Sequence, residues 1–163
     1  MSDSIQAQVM ALLEAYPDTI RKIAVYRYEL EHMASVTPDE VIGSMNFTHS
    51  DGIGTVTGHI SNKTAYIAMH YQEKANELTE DATGKLAAAL WDMEQERDRL
   101  HFYVSLLPPR QRKVLRLHYF AGKTRDEVCE LLKISSSTYD KNRKQGVELL
   151  CGMYEDAAKV KKS

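Results

Sequence analysis

The stretch that most restricts the fold is Leu107 to Leu150, where three short apolar periods are separated by two turn signals. Pro108 and Pro109 suit a first helical turn, whose leading positions need no backbone donors. The helix they open has Val114, Leu115, Leu117 and Tyr119 at its apolar positions, with Arg110, Arg112, Lys113 and Arg116 on its other sides. Gly122 then lets the chain turn. Thr124, followed three residues later by Glu127, reads as a capping box opening a second helix that buries Val128, Leu131 and Leu132. Lys133, Ile134 and Ser135 make a short connection. Ser135 or Ser136 caps a third helix running through Tyr139, Val147 and Leu150. A support helix followed by helix, tight turn and helix is the helix-turn-helix pattern, whose second helix enters the major groove.

Charge agrees with this pattern. From Leu107 to Val147 ten Lys or Arg face four acids, a net +6, whereas the whole chain is −2, so the remainder carries −8. A basic module on an acidic body is the footprint of a phosphate-binding end.

The run LPPRQRKVLRLHYFAGKTRDEVCELLKIS resembles the promoter −35-reading domain of bacterial sigma factors. The following SSSTYDKNRKQGV is similar to the third helix of ArpU/RinA-type regulators, small phage and prophage proteins of late-gene transcription. These resemblances imply sequence-specific binding of double-stranded DNA. The sequence departs from the sigma pattern at Lys133, where the turn usually has Gly, and at Asn142, where the sigma helix has a buried Ile. Gly146, inside the third helix, costs on the order of 1 kcal/mol relative to Ala unless it allows a close helix crossing.

On such a helix Ser136, Ser137, Asp140 and Lys141 occupy the exposed N-terminal part, within reach of base edges. Lys141 suits guanine acceptors and Asp140 a cytosine donor, while serines discriminate little. Arg143 and Lys144 lie further along and suit phosphates, and Arg110, Arg112, Lys123 and Arg125 would clamp the backbone. Tyr139 reads as a core anchor. Cys129 and Cys151 read as buried thiols of a reducing compartment.

The rest of the chain is read from its start. Residues 4–34 form a helix with Ile5, Val9, Leu12 and Tyr16 on one face, interrupted and restarted at Pro17, and with Ile20, Ile23, Tyr26, Leu30 and Met33 continuing the seam. Residues 35–60, with Gly43, Gly52, Gly54 and Gly58, show no helical period and read as a flexible connection. His49, Asp51 and His59 match no metal-ligand spacing, and the glycines match no phosphate loop. Ser61 to Thr64 would cap a helix over 64–78, with a break at 79–84. Leu86, Leu90, Met93, Leu100, Val104 and Leu107 then alternate by four and three, with Arg97 at the one polar position, along a long helix over 84–106. Trp91 lies off this seam and suggests a second buried side.

No nucleophile elbow, paired acids or cofactor motif marks an enzyme, and no cofactor or metal is implied. No apolar run approaches the roughly 18 residues a membrane helix needs, and the N-terminus lacks a signal-peptide pattern, so the expected location is the cytoplasm of a bacterial host. The expectation is therefore an all-α protein. An acidic helical region, 1–106, leads through the long helix into a sigma-like helix-turn-helix domain, 107–155. Its expected function is transcriptional control by sequence-specific DNA binding, as a phage late-gene activator. Contact with RNA polymerase is an alternative use of the acidic body, and helices 4–34 and 84–106 offer surfaces for a homo-oligomer. Two rivals are a DNA-packaging protein of the small-terminase type and a sigma-like module that docks on polymerase without reading DNA.

Overall fold

A computed structural model describes residues 2–33, 37–45 and 62–162. Among these the chain is all-α, with seven α-helices, one π-helical turn and no strand. The helices are α1 (Ser2–Glu14), α2 (Tyr16–Glu31), α3 (Pro38–Ser44), α4 (Asn62–Ser105), α5 (Pro109–Leu115), α6 (Arg125–Leu132) and α7 (Ser136–Lys162), and the π-turn is Arg116–Phe120.

The chain divides into two compact units. The first joins Met1–Val25 to Trp91–Ser163 and holds an extended apolar core. Val9 and Leu13 of α1, Leu100 and Val104 of α4, Leu115 of α5 and Val147 and Leu150 of α7 meet there. A smaller cluster of Val114, Val128 and Tyr139, flanked by Leu117, Cys129, Leu132 and Ile134, ties α5, α6 and α7 together. The division differs from the boundary expected at 106/107, because α1 lays its apolar face on α7. The seam of α4 is buried as its spacing predicts at Leu90, Leu100 and Val104, and Leu107, just past the helix, is buried as well. Trp91 instead stands 63% exposed, so α4 has no second buried side at that position.

Gly146 is where α5 crosses α7. A Cβ there would lie 3.0 Å from Leu115 Cδ1 and 3.3 Å from Gln111 Cβ. Leu115 is fully buried, so the helix-propensity cost of Gly146 is offset by a closer approach of the two helices. At the other side of the core, Phe120 of the π-turn stacks on Tyr16 (ring centroids 4.2 Å apart) and on His101 (4.6 Å). The Tyr16 hydroxyl and His101 Nε2 are hydrogen-bonded at 2.6 Å. This ring cluster joins the start of α2, the end of α4 and the π-turn.

The second unit, Tyr26–Leu90, contains α3. A helix at Pro38–Ser44 corrects the expectation that 35–60 is irregular throughout. Thr37 Oγ1 accepts from Glu40 N–H at 3.4 Å, and Glu40 Oε2 accepts from Thr37 N–H at 2.9 Å, a complete capping box. Val41 and Met45 are buried. Seven residues are too few to display a helical period, which is why the pattern hides it. The remaining expectations for this stretch, including His49, Asp51, His59, the later glycines and the Ser61 cap, fall on 46–61 and lie outside the described residues.

The expected break at 79–84 is also corrected: α4 runs unbroken for 44 residues. Thr79 Oγ1 donates to Ala75 O at 2.9 Å, so its hydroxyl is satisfied within the helix, and Gly84 meets no neighbouring atom. Lys74–Glu77 at 3.0 Å and Asp81–Lys85 at 3.1 Å support the same stretch. One mid-helix Gly costs about 1 kcal/mol, too little to end a long helix continued on both sides. Thr83 Oγ1 donates to Met33 Sδ at 3.3 Å, linking α4 to the segment that follows α2 within this unit.

Two outcomes are expected from urea unfolding. Gly146→Val, which puts branched carbons against Leu115, lowers stability by about 1–3 kcal/mol, whereas Gly84→Ala raises it by about 0.5–1 kcal/mol. Equal effects at the two glycines would contradict the close crossing. The second concerns pH. Burial, with Arg97 and Arg116 close by, holds the His101 imidazole below its ordinary value against a smaller opposite pull from Asp98. The folded state then binds the proton less readily than the unfolded chain. The stability His101 contributes is present above about pH 6.5 and lost as pH falls. His101→Gln, which keeps a partner for Tyr16, should show a smaller fall in unfolding midpoint between about pH 7.5 and pH 5 than the parent chain.

Candidate nucleic-acid interface

The helix-turn-helix is assembled by local signals that the chain carries in order. Gly122, with φ of 68°, turns the chain after the π-turn. Thr124 then opens α6 with a complete capping box: its N–H donates to Glu127 Oε2 at 2.7 Å, and its Oγ1 accepts from Glu127 N–H at 3.3 Å. These hydrogen bonds hold the Glu127 carboxyl below its ordinary value. Lys133 ends α6 in the left-handed region, with φ of 52°. A Gly would adopt that conformation without the cost that the Lys Cβ brings. Ser135 caps α7, its Oγ accepting from Thr138 N–H at 3.2 Å.

Helical spacing divides α7 into two sides. Tyr139, Asn142, Gly146 and Leu150, stepping by three or four, face inward. Asn142 is 7% exposed, and its Nδ2 donates to Thr138 O at 2.9 Å, which satisfies an amide in a place suited to an aliphatic. Tyr139 is the core anchor expected of it, with burial pushing its hydroxyl above the ordinary value. Ser137, Asp140, Lys141 and Lys144 share the opposite, exposed side, and Ser136 is exposed at the helix start. Ser137 Oγ lies 3.2 Å from Ser135 Oγ, so its hydroxyl belongs to the cap cluster.

The remaining cations separate into two groups. Arg112 Nη1 donates to Ser105 O at 3.0 Å and so caps the last turn of α4. Arg143 Nε donates to the Tyr119 hydroxyl at 2.9 Å, with its guanidinium 5.6 Å from that ring's centroid. Both side chains are half-buried, so these two expected phosphate ligands are engaged inside the fold. Arg110, Lys123, Arg125, Lys141 and Lys144 are exposed. The structure brings two candidate residues from different helices together: Arg125 Nη2 of α6 meets Asp140 Oδ2 of α7 at 2.5 Å.

Lys113 has no role among the contacts expected from sequence. It stands one turn after Arg110, an i, i+3 spacing that is visible in the sequence. The two border a cleft of about 350 Å³ floored by Val114, Leu132, Ile134, Thr138 and Asn142. Among the described residues no group of three or more His, Cys, Asp or Glu is placed to hold a metal ion. No described helix is long and apolar enough to cross a membrane. Cys129 and Cys151 are half-buried, and burial pushes the Cys151 thiol up, away from thiolate chemistry.

Residues 97–150, about a third of the chain, match the family model described as Sigma-70, region 4. The match begins within α4 and ends inside α7, and it lies wholly in the first unit. The C-terminal module is therefore a region 4-like helix-turn-helix, a DNA-binding type of module connected with transcription. Comparison with curated proteins and with solved structures returns no match.

Removing a half-buried charged donor leaves Tyr119 short of a partner. Arg143→Ala should therefore lower stability by about 1–3 kcal/mol in urea unfolding, while Lys144→Ala on the exposed side stays within about 0.5 kcal/mol. A silent Arg143→Ala would return that side chain to the phosphate-binding set.

Proposed function

We propose that this chain is a transcriptional regulator that binds double-stranded DNA sequence-specifically, placing α7 in the major groove, and that it activates late genes of a phage or prophage in the cytoplasm of a bacterial host. The observation that carries this reading is the exposed side of α7. Ser136, Ser137, Asp140, Lys141 and Lys144 stand clear of the core on a module that resembles the −35-reading domain of sigma factors. In this reading Lys141 reaches base edges from the start of the helix and Lys144 meets a phosphate further along. Arg110 and Lys123 hold the backbone from the flanking segments. Arg110 sits in the first turn of α5, where the helix dipole disfavours a cation, so helix stability does not explain its presence. RNA polymerase is the second partner in this reading. Trp91 and Phe102, 63% and 60% exposed on α4, give the stretch 84–106 apolar surface for that contact or for a second copy.

Genomic fragments bound at physiological salt should yield one enriched motif upstream of a late or packaging operon. Lys141→Ala should relax preference at one base pair. Lys144→Ala should weaken all sequences alike and reduce the slope of log affinity against log salt by about 1. Recovery of random fragments would overturn the regulator reading. Random recovery with a ring of eight or more chains in light scattering would favour the packaging alternative, and with a single chain, polymerase docking.

A further inference from the structure

We infer that Arg125 and Asp140 read DNA as one unit, with Asp140 orienting the Arg125 guanidinium toward a guanine. This replaces separate roles for Arg125 as a phosphate clamp and Asp140 as a cytosine acceptor, and it rests on the DNA-binding reading above. The two side chains come from different helices of the helix-turn-helix, the first residue of α6 and the second turn of α7, and meet at 2.5 Å. Asp140 stands on the same exposed side as Ser137, Lys141 and Lys144, so its partner's guanidinium is held at that side.

Three physical points favour a recognition role. Both side chains are about half exposed, at 49% and 55%, and a surface ion pair of this kind adds little to stability. A bare acid on a face that approaches phosphates repels them, whereas an acid neutralised by Arg125 does not. Guanidinium carries five N–H donors in a fixed fork, and Asp140 is the only acceptor that meets it among the described residues. The donors left over include an edge able to meet guanine O6 and N7 together, and holding the fork in place beforehand reduces the ordering lost on binding. The neighbouring Ser136 and Ser137 are short and discriminate weakly, which leaves base choice on this part of α7 to the fork and to Lys141.

The test uses the full chain. A preferred duplex is first selected from randomised sequences. Its single-base-pair variants are then titrated with the parent protein, Arg125→Lys, Asp140→Asn and the double variant. The expected result is that both single variants lose roughly tenfold discrimination at one and the same G·C pair. The double variant should lose no more than either single one, because the two residues act together. Asp140→Asn should also bind all sequences somewhat more tightly, since a negative charge has gone, while its preference flattens. Preference unchanged in both single variants, or lost at two different base pairs, overturns the unit. A parent protein that selects no sequence overturns the regulator reading itself, a result distinguishable from the other two because it appears before any variant is made.

Discussion

The geometry of the module depends on the contact between Leu115 and Gly146. A fully buried leucine rests against a residue without a side chain, which brings α5 and α7 as close as their backbones and Gln111 permit. Burying Leu115 contributes about 1.5–3 kcal/mol, and the missing Cβ at Gly146 is what lets it reach that depth. Once this crossing is set, the rotation of α7 about its axis is set too. Tyr139, Val147 and Leu150 turn inward, and Asp140, Lys141 and Lys144 turn outward. The exposed face is thus a consequence of core packing on its far side.

Around this crossing the cations divide by what surrounds them. Arg112 satisfies a carbonyl at the end of α4, and Arg143 reaches the hydroxyl of Tyr119 in the π-turn. The π-turn adds one residue to the helix where Tyr119 and Phe120 must reach different partners: Arg143 for the first, Tyr16 and His101 for the second. Irregularity of this kind commonly lies beside functional sites. Here it connects the first unit's ring cluster to the underside of α7, so α2, α4 and α7 all bear on the placement of one short segment.

Much of the helix-turn-helix is legible in the sequence because its signals are local. The Thr124–Glu127 capping box and the Ser135 cap each act within one turn, and the structure bears out both. Other features need contacts that spacing does not encode. Arg112 and Arg143 look equivalent to Arg110 and Lys144 by composition, and only partners 7 and 24 residues away in the chain distinguish them. The opposite holds at 79–84, where Thr and Gly look like punctuation although flanking helix on both sides outweighs their small cost. At Pro38–Ser44 a helix escapes detection by periodicity because its signature is a cap.

By itself, then, the sequence determined the all-α class and the order of support helix, second helix, tight turn and third helix, since these follow from caps and from 3.6-residue periodicity. Tertiary structure alone decided that α1 belongs to the same core as the helix-turn-helix, that two of its arginines serve the fold, and that Arg125 and Asp140 stand together. The physical reason is range. Capping and periodicity act over a few residues, whereas these contacts join positions brought together only when α1, α4, α5 and α7 close on a shared apolar core.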